Sequence, residues 1–423
     1  MGRFWPIHGR TLPFLPASLT GEDNDMKKVA RLILTGVVLG LAVVSVRGAF
    51  SSMFVMGDSI STTTNNPGAK SLSAYYYGQR FSNGRVWVEV LAQQQGLAFY
   101  PANNNSYFGN TSSNLAATIN NFSAPGGGDL SNILFVIWVN DADLYYPALN
   151  SGVNLRAWTN AMNMSLTNHY KAIVNLYARG ARTLIMPNAV DLSTIPAFDA
   201  SGNASFIHAR CLDYDAAFVG VLNQARANCP GLTIYMPDFY TLLANILADP
   251  AAYLVTNALQ NGHSVDVMED AALSNYTTNG PGTNHIFWDF TDPTAMVHLW
   301  MANTAQQLIS PVSISGVTVF NGSNRLDLAN VPVGQNGLIL GCTNSFWLSW
   351  GNWTTNTAFI GTGVAQSVFV LTTNATAQSS VRVSPKDGPP MPPGGGSGGG
   401  TNAVPDPTMQ FYRLSFPYSW TWP

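Results

Sequence analysis

The 423-residue chain is short of charge: Asp, Glu, Lys and Arg make up 10% of it, against about 25% in an average soluble protein. Neither sign is in excess, with 19 basic and 22 acidic side chains and a net charge of −3. That excludes the basic patch a phosphate backbone would require, so nucleic acid is not an expected partner. Low charge does not mean disorder here, because 46% of the residues are hydrophobic; disordered chains lack that material. Cysteine is scarce too. Cys211, Cys229 and Cys342 are too few for a disulfide framework. Apolar residues at 207, 211, 214, 218, 221, 222 and 225 predict one helix over 206–228. Eighteen helical residues span about 27 Å, whereas a disulfide needs Cα atoms within about 7 Å. Buried free thiols are expected.

Also missing is an apolar run long enough to cross a bilayer comfortably, which takes about 20 residues. Residues 32–46 (LILTGVVLGLAVVSV) are shorter, follow Met26, Lys27, Lys28 and Arg31, and precede the small Gly48 and Ala49. A basic start, a short apolar stretch and small residues after it describe a secretory signal peptide. Residues 1–48 are therefore read as a leader, with translation starting at Met26 and export to a secreted, periplasmic or extracellular location.

From residue 49 to 310, short apolar runs alternate with helical patterns. Residues 53–56, 133–139 (ILFVIWV), 183–187 (TLIMP) and 232–236 (LTIYM) read as strands, and a continuous apolar run suits a strand buried on both faces. Helical patterns cover 86–95, 158–179, 206–228, 239–248 and 293–308. Strands separated by helices imply right-handed crossovers and a mainly parallel sheet in a three-layer α/β/α domain. From 311 to 423 the texture changes to short alternating runs broken by Gly and Asn, predicting a small antiparallel β domain. Within it, residues 384–408 contain GPPMPPGGGSGGG and read as a loop. The alternating QFYRLSF at 410–416 is expected to return and pair with the strands before that loop.

Gly57, Asp58 and Ser59 follow the first strand directly. The carboxyl end of a parallel strand is where open α/β sheets place their ligands, so Ser59 is a candidate nucleophile. On its own, a Gly-Asp-Ser tripeptide marks no more than a strand-to-loop turn. Longer blocks carry more. Residues 75–92 (YYYGQRFSNGRVWVEVLA), 105–115 (NSYFGNTSSNL), 138–141 (WVND) and 287–298 (FWDFTDPTAMVH) occur in this order after it. Together they resemble the blocks of the SGNH/GDSL family of secreted lipases and esterases, over residues 52–308. The resemblance implies a serine hydrolase of carboxylic esters, acting on small-molecule or polymer-linked substrates without metal or cofactor. It implies Ser59 as nucleophile, Ser59, Gly109 and Asn140 as oxyanion donors, and Asp289 as the orienting carboxylate. Such donors matter because ester hydrolysis passes through a tetrahedral oxyanion.

Two positions depart from the family pattern. Trp138 stands where the third block has glycine, and Asp292 stands where the fifth has histidine. Aspartate, with a reference pKa near 3.9, is a poorer base at neutral pH than histidine near 6.5. Asp292 has two readings: a base beside Ser59, or the N-cap of a helix starting at Pro293. His285 and His298 are the alternative bases. His298 follows Asp292 by six residues, which on a helix is about 9 Å along and about 240° around. The rival function is a catalytically impaired member of the fold that binds a glycan or lipid. Trp347, Trp350, Trp353, Trp420 and Trp422 would offer such a ligand a stacking platform.

Overall fold

The structure, a computed structural model, describes residues 50–63, 75–123, 129–310 and the strands of the C-terminal region between 313 and 415. The leader, the Pro/Gly-rich stretch and the five tryptophans just named lie outside the described residues.

Strands β1 (Ser52–Gly57), β2 (Ile133–Trp138), β3 (Thr183–Ile185) and β4 (Thr233–Tyr235) form a parallel sheet in that order. β1 and β2 are buried along their whole length, which is why they read as unbroken apolar runs rather than alternating ones. β3 and β4 are only three residues each, shorter than their apolar runs suggested. On the far side of β1 a single parallel bridge joins Val55 to Asn104. The chain thus leaves β1, touches the sheet on one side at Asn104, and re-enters on the other at β2. β1 is therefore a topological switch point, where a crevice opens beyond the strand's carboxyl end.

Helices cover the sheet in two groups. α1 (Trp87–Gln94) packs on α7 (Ala295–Ile309), which also packs on α6 (Phe239–Ala248). α4 (Leu155–Ala178) packs on α2 (Leu115–Asn121), α3 (Asn140–Asn150) and α5 (Ala204–Asn228). This is the three-layer α/β/α arrangement. Ile207, Cys211, Tyr214, Phe218, Leu222 and Ala225 form the buried stripe of α5, and both Cys211 and Cys229 are free and buried. A two-stranded ribbon of β5 (Leu259–Gln260) and β6 (His263–Ser264) precedes α7.

β7 (Ser313–Phe320), β8 (Ser323–Ala329) and β11 (Ala365–Leu371) form one antiparallel sheet. β9 (Asn336–Cys342), β10 (Thr354–Ile360), β12 (Val381–Val383) and β13 (Gln410–Ser415) form another. Inner residues of both, including Leu326, Leu328, Ile339, Phe359 and Val370, make a second apolar core. β13 lies between β9, antiparallel, and β12, parallel.

Candidate active site

Gly57 ends β1 because nothing larger fits: an added Cβ would sit 2.6 Å from Ser61 Cβ and 2.8 Å from Ser106 Oγ. The chain then bends into a single 3₁₀ turn, Ser59–Ser61, whose cap is the Asp58 carboxylate accepting from Ile60 N at 3.1 Å. Asp58 N donates to Trp138 O at 3.2 Å, and the nearby Ala142 N–H favours the ionised form of the Asp58 carboxyl. The Ser59 turn is thus tied to the end of β2. Ser59 is left half-buried, facing a cleft of about 430 Å³ lined also by Phe108, Gly109, Tyr145, Tyr146 and Leu149.

Gly109 lies on the same cleft with φ +77°, a left-handed conformation that glycine adopts without strain. Among the described residues neither its N–H nor that of Ser59 has a protein acceptor. Asn140, the first residue of α3, is buried and donates one amide hydrogen to Pro187 O at 3.1 Å. The second amide hydrogen remains available. Its place is two residues past Trp138, which pairs with Gly57.

Across from Ser59 a tight turn presents two carboxyls. Asp289 Oδ1 accepts from Thr291 N at 3.0 Å and Asp292 N at 2.8 Å, and Trp288 N donates to Asp292 O at 2.8 Å. Asp289 Oδ2 accepts from Tyr76 Oη at 2.9 Å, while Asp292 Oδ2 accepts from Thr291 Oγ1 at 2.7 Å. Thr291, the neighbour of Asp292, lines the same cleft as Ser59, and the Ser59 hydroxyl is near enough to Asp292 to favour its ionised form slightly. Asp292 Oδ1 has no hydrogen-bond partner and is fully buried.

Asp292 is not a helix N-cap. Pro293 bridges Phe287 in extended backbone and Thr294 N donates to Ile286 O, so α7 begins two residues later than the sequence suggested. Its first free N–H, Ala295 N, is capped from outside by Asn83 Oδ1 at 2.8 Å. The histidines are engaged elsewhere. His298 is buried in α7, its Nδ1 accepting from Trp87 N at 3.3 Å, and burial pushes its pKa down to about 3. His285 Nε2 meets Asp270 Oδ2 at 3.0 Å.

Residues 75–92 turn out to be the brace between the two halves. Arg80 grips Glu89 through both carboxylate oxygens at 2.6 and 2.5 Å, and Glu89 Oε2 accepts from Val86 N at 3.0 Å to start α1. Ser82 Oγ donates to Pro293 O at 2.9 Å, and Trp87 Nε1 donates to Ser61 Oγ at 3.0 Å. One short stretch therefore holds both the serine turn and the aspartate turn. Tyr76, the donor to Asp289, was inside that stretch but carried no individual signal; only its reach across to Asp289 distinguishes it from Tyr75 and Tyr77.

Residues 53–305 match the family model described as GDSL-like Lipase/Acylhydrolase. The chain belongs to this family. At family level its relatives include GDSL esterases and lipases. It is 23% identical to the thermolabile hemolysin of Vibrio parahaemolyticus over 60% of this chain and 62% of that protein, so the match spans under two thirds of the hemolysin's length. A GDSL esterase/lipase of Arabidopsis thaliana is 24% identical over 60% of this chain and 89% of its own. Among solved structures, the extracellular lipase of Streptomyces rimosus aligns at TM-score 0.36 and 14% identity, covering 60% of this chain and 99% of that one.

The electrostatics of this GDSL site are dominated by buried carboxyls. Burial, then the neighbouring Asp289 charge, holds Asp292 well above the usual carboxylate range. Asp289 is also raised by burial, but hydrogen bonds donated by Thr291 N, Asp292 N and Tyr76 Oη favour its ionised form. Within the pair the charge belongs on Asp289 and the proton on Asp292. Asp58 is pushed up to about 7, first by burial. Among the described residues no three His, Cys, Asp or Glu side chains group to hold a metal.

Trp138 is fully buried against Trp87 and Phe239, with ring centroids 5.7 and 4.9 Å away. It fills the core beneath the cleft.

Proposed function

We propose that this GDSL-family chain is an exported serine hydrolase of carboxylic esters, with Ser59 as nucleophile and Asp292 in place of the histidine base. The observation that carries the reading is that Ser59, Gly109 and Thr291, the immediate neighbour of Asp292, line one cleft. Ser59 Oγ attacks the ester carbonyl carbon while its proton passes to the ionised Asp292 carboxylate. The oxyanion is received by the N–H groups of Ser59 and Gly109 and by the Asn140 side chain. On collapse the proton goes to the departing alcohol, and water then releases the acid from Ser59 by the same route. Asp289 orients the turn and, as the ionised member of the pair, raises the basicity of Asp292.

The raised pKa sets the pH dependence. A protonated Asp292 cannot accept the serine proton, so the rate climbs with pH as that proton is lost. Once ionised, Asp292 is a stronger base than an ordinary aspartate. The deciding assay is turnover of p-nitrophenyl acetate, butyrate and octanoate by the mature protein between pH 6 and pH 10, with Ser59→Ala beside it. Loss of the serine should remove nearly all turnover, a drop of about 10⁶ in a fully competent triad.

The buried proton on Asp292 favours a second reading, a binding protein that has lost its acid–base group and holds a lipid or glycan ester unreacted. Absence of turnover at every pH, together with saturable binding of an ester analogue, selects it.

A further inference from the structure

A second group of buried polar side chains lies among α3, α4 and α5, apart from the carboxyls already described. It comprises Asp143 on α3, Ser165 and His169 on α4, and Tyr214 on α5. Ser165 Oγ donates to Asp143 Oδ2 at 2.5 Å and stands 2.8 Å from Tyr214 Oη. Having given its one hydrogen to Asp143, the serine can only accept from the tyrosine. The likeness to a Ser-His-Asp triad goes no further. His169 Nδ1 lies 2.9 Å from Ser165 O, and a carbonyl only accepts, so that nitrogen carries a proton and cannot take the serine's. The chain of donors runs from Tyr214 through Ser165 and ends on the Asp143 carboxyl.

The other oxygen of that carboxyl reaches toward the cleft. Asp143 Oδ1 accepts from Ser112 N at 3.0 Å. Ser112 lies three residues after Gly109, and Asp143 lies three residues after Asn140, about one turn along the same helix. One carboxyl therefore joins the segment that bears Gly109 to the helix that begins with Asn140. Within the segment, Asn110 Nδ2 donates to Gly57 O at 2.9 Å and ties it to the end of β1, just before Ser59. Gly109 depends on such ties. Nothing lies within 4 Å of where its Cβ would stand, so packing on that side does not hold it. Aim matters for a group of this kind, because a displacement of about 1 Å costs about 10² in rate. We propose that Asp143 is a positioning residue, which holds the Gly109 N–H in line with the Asn140 amide. The role rests on the serine-hydrolase reading for the oxyanion, and on the hydrogen bonds alone for the tether.

The tether can be cut without emptying the core. Ser112 is the first residue of a 3₁₀ turn and follows Thr111 in extended backbone, a place where proline is tolerated. Ser112→Pro removes the N–H that Asp143 accepts, whereas Ser112→Ala keeps it and loses only the hydroxyl that Asn168 Nδ2 contacts at 3.2 Å. Ser112→Pro should lower kcat on p-nitrophenyl butyrate by about 10² with KM little changed. It should weaken inhibition by butaneboronic acid, which forms a tetrahedral adduct on serine, in the same proportion. Ser112→Ala should behave as wild type. Asp143→Ala should match Ser112→Pro, and Asp143→Asn should recover most of the loss, since its amide oxygen still accepts from Ser112 N. Ser165→Ala breaks the far half of the cluster and leaves the tether, so it should lower the melting temperature while kcat holds. Hydrogen exchange over residues 105–115 of the full chain should quicken in Ser112→Pro and Asp143→Ala, and stay slow in Asp143→Asn. Unchanged kcat in Ser112→Pro overturns the inference and leaves the hydrolase intact. A loss of kcat in Ser165→Ala as large as in Ser112→Pro also overturns it, because general loosening would then suffice. If wild type turns over no ester, or Ser59→Ala matches it, the hydrolase reading fails and the positioning role falls with it.

Discussion

The two walls of the cleft differ in how their polar groups are satisfied. On the serine side Asp58 caps its turn and is matched by a backbone donor, while the N–H groups of Ser59 and Gly109 have no protein acceptor among the described residues. On the facing side Asp289 collects Thr291 N, Asp292 N and Tyr76 Oη, but Asp292, fully buried, is given Thr291 Oγ1 alone. A histidine at 292 would offer two ring nitrogens to two such neighbours, a serine and an aspartate. The aspartate that stands there keeps the geometry and changes the proton inventory. The lesson is that a brace such as residues 75–92 fixes where groups stand, whereas a single side chain decides which of them can move a proton.

The largest expected break in this contrast comes from Asp292→His. It should raise kcat/KM on p-nitrophenyl butyrate at neutral pH by about 10²–10⁴, the usual contribution of a well-placed general base. It should also move the rising limb of the pH profile toward a histidine pKa. A lower rate would mean that Asp292 already serves better than an imidazole can.

Asp58→Asn sharpens the other wall. The folded-state pKa of about 7 lies above the ordinary 3.8, so between those values the folded chain holds a proton that the unfolded chain has lost. Stability from this group is therefore present below about pH 4 and falls away as pH rises to about 7, by at most about 1.4 kcal/mol per unit. The asparagine keeps the cap without the titration. Its melting temperature relative to wild type should rise across that window, as scanning fluorimetry would record; a constant difference would contradict the burial argument.

Arg80→Ala tests the brace. It strands the buried Glu89 carboxylate and should cost about 3 kcal/mol in urea unfolding. Arg80→Lys should recover only part, because one ammonium cannot reproduce the two-point grip. The smallest effect belongs to Asn83→Ala, which uncaps α7 for about 1 kcal/mol. If the brace positions the aspartate turn, kcat should fall in Asn83→Ala while KM holds.

Much of the fold was legible because its signals are local. Continuous apolar runs at 53–56 and 133–139 gave two fully buried strands, and the stripe at 207–225 gave a helix that separates Cys211 from Cys229. The sequence signal places the start of α7 two residues early because Asp-Pro is a good local start signal. Tertiary pairing of Pro293 with Phe287 overrode it and passed the cap to Asn83, more than two hundred residues away. His298 illustrates the same limit. Nothing in its neighbours announces that α1 packs over it and claims its Nδ1.

By itself the sequence determined the α/β alternation, the order of the blocks and the replacement of histidine by Asp292, since periodicity and residue identity are properties of the chain alone. Only the tertiary structure decided that Ser59 and the turn carrying Asp292 line one cleft, that burial raises both carboxyls of the pair, and that both histidines are occupied elsewhere. Those outcomes depend on burial and on donors from distant segments, and desolvation exists only once the chain has closed around the group.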